Sequence, residues 1–258
     1  MRSEDIQTRI QGIIGSNIFF YDTVSSTNTI ALELAERASE GAVVLADTQE
    51  NGRGRLGRTW VSPPGVNLYM SVMLTPDIEP KNLTLLTLMS AVACSIALRR
   101  TTGLNISIKW PNDLTVRGRK LGGILTEVRT RGKGTISAVV GIGININTDL
   151  QELPPDIKEI ATSIRRETGK ISSRENIAAE ILNEIDVWYG ILKGSNRDRI
   201  LDTWKELNST LGKQVRISTA EGSLTGFAEA IDDGGMLIVR LLSGQEKKIS
   251  SGDLIELR

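Results

Sequence analysis

Histidine is absent from this chain of 258 residues, and cysteine occurs once, as Cys94. The lack of histidine excludes Ser-His-Asp and Cys-His catalysis and histidine-based zinc sites, so proton transfer has to use Asp, Glu, Lys, Tyr or water. One cysteine permits no disulfide within the chain, which fits an intracellular, cytoplasmic location. No apolar run approaches the roughly 20 residues that span a bilayer, and residues 1–11 lack the apolar core of a signal peptide, so we expect no membrane partner.

An excess of charge of one sign is also missing, and aromatic side chains are few. Lys+Arg and Asp+Glu number 31 each, and aromatic residues make up 4% of the chain. Balanced charge argues against a protein that mainly coats nucleic acid or an anionic membrane. The 40% of hydrophobic residues supports a sizeable core, either one large domain or a medium domain with a small appendage.

The apolar pattern predicts an α+β chain in two parts. Closely spaced strands over 106–146, with a hairpin turn at 131–134, indicate a mixed or largely antiparallel sheet. Five short strands separated by turns over 211–258 are typical of a small β-barrel. Helices are predicted at 6–14, 83–100, 156–164, 173–192 and 197–207.

Three arginines and three glycines alternate in the segment Gly52-Arg53-Gly54-Arg55-Leu56-Gly57-Arg58, and Trp60 lies just beyond it. Glycine lets the backbone approach a ligand closely, and arginine offers a planar fork of donors that matches phosphate and carboxylate oxygens. The pattern is typical of a mobile loop that closes on an anion. A solvated or nucleic-acid-binding basic loop is the alternative that this segment alone leaves open.

A second segment, Lys109-Trp110-Pro111-Asn112-Asp113-Leu114, interrupts a sheet-forming region. Proline lacks a donor and restricts its predecessor, so Asn112 and Asp113 can turn inward from a rigid edge; an ordinary turn is the alternative. Lys120 follows seven residues after Asp113 and opens the stretch Leu121-Gly122-Gly123-Ile124. The paired glycines let backbone or ligand pass close to that lysine, whose alternative role is a plain surface charge.

Glycine and asparagine alternate with isoleucine in a third segment, Gly141-Ile142-Gly143-Ile144-Asn145-Ile146-Asn147. In a strand, the isoleucines would face the core and the glycines and asparagines the opposite side. That side is stripped of bulk and suits a flat ligand. A tight contact between sheet and helix is the alternative.

Taken together and in order, these segments resemble the biotin–protein ligases. The segments that carry the resemblance are Ser25-Ser26-Thr27-Asn28, the Gly/Arg segment, residues 109–114, Lys120-Leu121-Gly122-Gly123-Ile124-Leu125 and Gly141-Ile142-Gly143-Ile144-Asn145. The resemblance implies a catalytic biotin/lipoate-ligase-type domain over 1–210, with a class II aminoacyl-tRNA synthetase-like mixed sheet flanked by helices, and an SH3-like domain over 211–258. It also implies the ligase-only class, which lacks an N-terminal DNA-binding domain, and hence no DNA partner.

The family reaction implied by this resemblance joins biotin to ATP, accompanied by Mg²⁺, as biotinyl-5′-AMP. Biotin then passes to a lysine on the carboxyl carrier domain of a biotin-dependent carboxylase or decarboxylase, and a homodimer is expected. The implied catalytic residues are Lys120, Arg55 and Asp113, with no protein metal ligand. The implied biotin contacts are Ser26, Thr27, Asn28, Gln49, Gly52, Arg53, Arg55, Lys120 and Gly122, and the implied ATP contacts are Arg55, Arg58, Trp60, Asn112, Lys120 and Asn145.

Two functions of other classes stay open at this point. One is a non-catalytic protein whose Gly/Arg loop grips RNA or DNA, against which the balanced charge and few aromatics weigh. The other is a regulatory domain that binds biotinyl-AMP without transferring it.

Overall fold

The computed structural model describes residues 1–79, 82–130, 136–194, 196–219 and 222–257. The helices are α1 (Ser3–Gln7), α2 (Thr27–Leu34), α3 (Thr84–Thr102), α4 (Pro155–Ile160), α5 (Ile164–Thr168), α6 (Arg174–Lys193) and α7 (Asp198–Leu207). The strands are β1 (Ile18–Val24), β2 (Val43–Gln49), β3 (Leu68–Leu74), β4 (Ser107–Lys109), β5 (Asp113–Val116), β6 (Arg119–Thr130), β7 (Ile136–Ile144), β8 (Gln214–Thr219), β9 (Gly222–Ile231), β10 (Leu237–Leu241), β11 (Glu246–Ile249) and β12 (Asp253–Glu256).

The strands form two sheets. The first has seven strands in the order β1-β2-β3-β7-β6-β5-β4, and the second, here called the C-terminal sheet, has five in the order β11-β10-β9-β8-β12. In the larger sheet β1 and β2 run parallel, and the remaining neighbours run antiparallel. The predicted mixed α+β architecture is therefore confirmed. The predicted hairpin turn at 131–134 lies outside the described residues.

One face of the larger sheet is covered by helices. Helix α3 is apolar on nearly every side, and twelve of its residues are buried between the sheet and helix α6. Trp204 and Trp188 are 0% and 4% exposed, as expected of core anchors. Cys94 lies in the same core, where burial raises the pKa of its thiol. This face holds most of the buried apolar surface that stabilises the fold.

Two helices differ from the sequence expectation. Helix α1 ends at Gln7, well short of Ile14, because the next turns bond to other elements: the amides of Ile13 and Ile14 both donate to the Asp186 carboxylate. Helix α4 ends at Ile160, since Ala161 forms a parallel bridge with Lys120 and helix α5 then starts afresh, capped by Ser163. Among the described residues, no helix has the length and apolarity needed to cross a membrane.

Candidate active site

A cavity of about 540 Å³ opens on the face of the larger sheet opposite helix α3. Its walls come from the start of α2, the Gly/Arg loop, strands β5, β6 and β7, helix α4 and the start of β12. The residues that the sequence singled out and that line it are Ser26, Thr27, Asn28, Gln49, Arg53, Arg55, Arg58, Trp60, Asn112, Asp113, Lys120 and Asn145. Segments far apart in the chain thus meet in one place.

The Gly/Arg loop folds back on itself as a short hairpin. The amide of Trp60 donates to the carbonyl of Gly52 at 2.8 Å, and the amide of Gly54 donates to the carbonyl of Arg58 at 2.7 Å. At its tip Leu56 and Gly57 take φ values of 54° and 75°, a conformation that costs little for glycine and more for leucine. The hairpin fixes the spacing of its three arginines.

Each arginine of the hairpin bonds to a different part of the protein. Arg53 bonds the carboxylate of Glu127 on β6 at 2.9 Å. Arg55 donates to the side-chain oxygen of Asn112 at 3.0 Å and to the carbonyl of Gly252 at 3.4 Å, and burial lowers the pKa of its guanidinium, which still stays charged at neutral pH. Arg58 pairs with Asp253 of the C-terminal sheet. The loop therefore connects the two sheets across the cavity.

Lys120 and Asp113 form an ion pair on the cavity wall, with Nζ and Oδ1 2.7 Å apart. A β-bulge between β5 and β6 shifts the register after Leu114, so that Lys120 and Gly123, three residues apart, both face the cavity while Leu121 lies in the core. The ammonium also lies 5.6 Å from the ring centre of Trp60, within the range of a cation–π contact. A cation held by a carboxylate and an aromatic ring faces the open space.

The far wall is a buried polar network around the start of α2. Gln49 accepts from the backbone amide of Thr27 at 2.9 Å, and Asn28 donates to the carbonyl of Leu125. Three hydroxyl contacts link Thr27, Ser71, Asn28 and Gln49: Ser71 to Asn28 Oδ1 at 2.6 Å, Ser71 to Thr27 at 2.8 Å, and Thr27 to Gln49 Oε1 at 3.2 Å. Two hydroxyls carry only two hydrogens, so one of these contacts has no proton. The wall is therefore one donor short.

The two glycines of the glycine–asparagine strand lie against protein side chains at the edge of the cavity. A Cβ on Gly141 would lie 2.2 Å from Asn28 Oδ1, and a Cβ on Gly143 would lie 2.7 Å from the indole of Trp60. The flat group resting on Gly143 is thus the side chain of Trp60, whose Nε1 is buried with no partner among the described residues. Asn145 donates to the carbonyl of Thr162 at 3.1 Å and lines the cavity beyond the indole.

Two predicted site residues do not line the cavity. Gly52 closes the base of the hairpin, and Gly122 packs against β7, where a Cβ would lie 2.7 Å from the carbonyl of Gly143. Sequence reasoning in turn missed Glu127 and Ser71, which bond the predicted residues, and an apolar part of the wall. That part consists of Leu153, Ile157, Ile160 and Ala161. None of these lies in a motif, so only the fold brings them to the site.

Comparison with known proteins agrees on what this arrangement is. The biotin/lipoate A/B protein ligase family matches residues 20–147, and the biotin protein ligase C-terminal domain matches residues 210–255. The bifunctional ligase/repressor BirA of Bacillus subtilis is 36% identical over 94% of this chain and 74% of its own length. The biotin–[acetyl-CoA-carboxylase] ligase of Paracoccus denitrificans is 33% identical, covering 86% of this chain and 93% of that protein.

Solved structures give the same result. The biotin protein ligase from Aquifex aeolicus in complex with biotin and ATP superposes with a TM-score of 0.80 at 32% identity, covering 94% of this chain and 99% of that one. The two relatives and this structure each match most of the chain, so the likeness extends beyond the cavity to both sheets. The chain belongs to the biotin protein ligases of the biotin/lipoate A/B protein ligase family.

Proposed function

We propose that this protein activates biotin with ATP and transfers it to a lysine of an acceptor protein. In the first step a biotin carboxylate oxygen attacks the α-phosphate, and pyrophosphate leaves. In the second, the lysine amine attacks the carbonyl carbon of biotinyl-5′-AMP, loses a proton, and AMP leaves. The observation that carries the proposal is one cavity that joins a polar wall to Lys120 and the arginines Arg53, Arg55 and Arg58.

The polar wall supports binding of the biotin ureido ring. A ureido group offers two N–H donors and one carbonyl acceptor. The network of Thr27, Ser71, Asn28 and Gln49 shares two hydroxyl hydrogens among three contacts, so the oxygens of Thr27 and Gln49 at the cavity have the capacity to accept from a ligand N–H. Gly141 leaves room for Asn28 to complete this wall.

The cations support the activation step. In-line attack brings two anions together, so catalysis needs fixed positive charge at the forming bond. Lys120 lines the same cavity as the polar wall and the arginines, and its ammonium is suited to bond the biotin carboxylate and the α-phosphate together. The ring of Trp60 lies beside Lys120, with its centre 5.6 Å from Nζ.

Asp113 serves transfer by orienting the acceptor lysine. Its carboxylate already holds Lys120 at 2.7 Å, and a carboxylate is a far weaker base than the amine from which it would take a proton. An incoming lysine amine would find Asp113 at the cavity wall as a hydrogen-bond acceptor. The proton it loses passes to Asp113 or to water.

Mg²⁺ enters this scheme as the counter-ion of ATP. The described residues contain no group of three or more His, Cys, Asp or Glu side chains that could hold a metal ion. Asp113 and Asp253 are carboxylates on the cavity wall, and such oxygens suit contact with a hydrated Mg²⁺ held mainly by phosphates. The ion would supply neutralisation of phosphate charge.

The two sheets and their edges also bear on the domains and the oligomeric state of the protein. We assign residues 1–210 to a synthetase-like catalytic domain and residues 211–258 to an SH3-like domain, and we expect a cytoplasmic homodimer that acts on a biotin carboxyl carrier domain. The division follows the two separate sheets, and β1, an edge strand of the larger sheet, supports an edge-to-edge dimer. Sedimentation at several concentrations measures the oligomeric state.

Exchange of pyrophosphate into ATP tests the activation step directly. We expect exchange that requires biotin, followed by mass spectrometry showing one biotin on one lysine of a carboxyl carrier domain. Exchange driven by lipoate or octanoate but not biotin would reject biotin as the substrate. Adenylate formation without any transfer would favour the regulatory alternative. Oligonucleotide binding with a steep salt dependence and no adenylation would favour the nucleic-acid one.

A further inference from the structure

Glu127 lies on the cavity face of β6, seven residues after Lys120, and belongs to none of the sequence motifs. One oxygen of its carboxylate, Oε2, accepts from two groups: Asn28 Nδ2 at 2.7 Å and Arg53 NH2 at 2.9 Å. These two partners belong to two different parts of the cavity lining, the polar wall and the loop hairpin. A single oxygen atom therefore joins the two walls.

The contact with Asn28 is part of a buried network. Asn28 is 3% exposed, its Oδ1 accepts from Ser71, and one of its amide hydrogens goes to the carbonyl of Leu125. Glu127 takes the other hydrogen. Without that acceptor a buried N–H would lose its partner, so the amide would turn and disturb the wall.

The contact with Arg53 controls the loop. Arg53 forms a bridge with Thr59 across the hairpin that Gly52 and Trp60 close. Fixing Arg53 therefore fixes the base of the hairpin and, through it, Arg55 and Arg58 near its tip. As a surface ion pair the contact would add little energy, since Arg53 is 41% exposed. Its geometric effect on the hairpin is larger than its electrostatic one.

We infer that Glu127 is a positioning residue that holds the polar wall and the Gly/Arg hairpin in one geometry. It touches no substrate in the proposed function, on which the inference rests, and it acts through Asn28 and Arg53. Glu127 thereby keeps the polar wall, which is proposed to bind biotin, and the hairpin arginines, which are proposed to bind phosphate, in a fixed relative position.

The test compares Glu127→Gln, which keeps the shape and removes the charge, with Glu229→Gln. Glu229 also pairs with an arginine, Arg240 at 3.4 Å, but lies on the C-terminal sheet away from the cavity. In the pyrophosphate exchange assay, we expect E127Q to raise the KM for biotin about fivefold. In the absence of the acceptor protein, the variant should also hydrolyse biotinyl-5′-AMP to AMP faster than the parent, because a loosened hairpin shields the mixed anhydride from water poorly. E229Q should match the parent protein.

A double-mutant cycle separates positioning from a general loss of stability. In an Arg53→Ala background, the effect of E127Q on KM should shrink to twofold or less, because the Arg53 contact is already gone and the glutamine oxygen still accepts from Asn28. An unchanged KM in E127Q, or an effect of full size in the R53A background, overturns the inference.

Hydrogen exchange of the ligand-free protein gives a readout independent of the reaction. The amides of Gly54 and Trp60, which close the hairpin, should exchange about fivefold faster in E127Q and at the parent rate in E229Q. Faster exchange in a protein that shows no biotin-dependent activity would keep the anchor and reject the proposed function. Unchanged exchange with full biotin-dependent activity would reject the anchor alone.

Discussion

The two faces of the larger sheet carry opposite side chains on the same strands. On β7, Val140 and Ile142 pack into the helix-covered core, whereas Gly141 and Gly143 face the cavity. On β3, Met70 and Val72 join that core, whereas Ser71 faces the polar wall. The period of two in a strand thus separates stability from chemistry within one element.

Because the two faces carry different side chains, substitutions on them should affect different properties of the protein. The helix-covered face is close-packed, so loss of volume there is felt as lost folding energy. Apart from the small apolar cluster under α2 that contains Met73 and Val139, the cavity face holds glycines, an ion pair and a polar wall one donor short, which contribute little to stability and much to binding. Substitutions on the two faces should therefore separate cleanly in paired measurements of unfolding and activity.

Lys120→Ala should give the largest effect on activity, because it removes a charge from the cavity face alone. Removing the ammonium from between two reacting anions is expected to slow biotin-dependent pyrophosphate exchange by about 10³-fold, while thermal unfolding changes little because the side chain lies at the cavity wall. Lys205→Ala is the matched control, since Lys205 forms an exposed pair with Asp202 on α7. Exchange within tenfold of the parent in K120A would remove Lys120 from the mechanism.

Met70→Ala probes the other face. Met70 is fully buried in the helix-covered core and lines no part of the cavity. The cavity it leaves should lower the free energy of unfolding by about 3 kcal/mol, with activity per folded molecule preserved. Urea unfolding followed by circular dichroism gives the first quantity and exchange kinetics well below the midpoint give the second. Full stability combined with lost activity would contradict the separation of the faces.

Much of the fold and of the site follows from local sequence. The apolar helix α3, the alternation on β7 and the arginine-rich hairpin each lie within one contiguous segment, so their patterns identify them. Twelve of the predicted site residues line the cavity for the same reason. The sequence patterns do not predict Glu127, Ser71 and Asp253 as part of the site, because the roles of these residues arise from contacts between distant segments, which no local pattern encodes.

The bulge shows the same limit on a smaller scale. Strict alternation along β6 would place Lys120 and Gly122 on one face, and the resemblance implies that Gly122 contacts biotin. The register shift after Leu114 instead puts Lys120 and Gly123 on the cavity side and Gly122 against β7. Such an irregularity depends on the partner strand and is invisible in the sequence of one strand.

Gly143→Ala adds a single methyl group to the cavity face. Its Cβ would lie 2.7 Å from the indole of Trp60, so the ring has to move off the strand. We expect activity to fall about 30-fold, through a raised KM for ATP, with a small loss of stability. Gly190→Ala is the control, because nothing lies within 4 Å of its added Cβ on α6. That variant should gain about 0.5–1 kcal/mol of stability and keep full activity.

Asp232→Asn should give the smallest effect, and it contrasts a carboxylate that serves local structure with Asp113 at the cavity. Although burial alone raises the pKa of Asp232, bonds from Lys248 at 3.0 Å and from the Met236 and Gly234 amides lower it below its usual value. A lowered folded-state pKa means that the carboxylate stabilises the fold fully above its unfolded pKa of about 3.9, and that this contribution is lost as pH falls through the folded-state value. The variant should therefore be about 1 kcal/mol less stable at pH 7, and its difference from the parent should shrink progressively below about pH 4.

Urea unfolding at a series of pH values measures that difference, and activity per folded molecule should stay at the parent level. A stability difference independent of pH would mean that the turn depends on the shape of Asp232 and not on its charge.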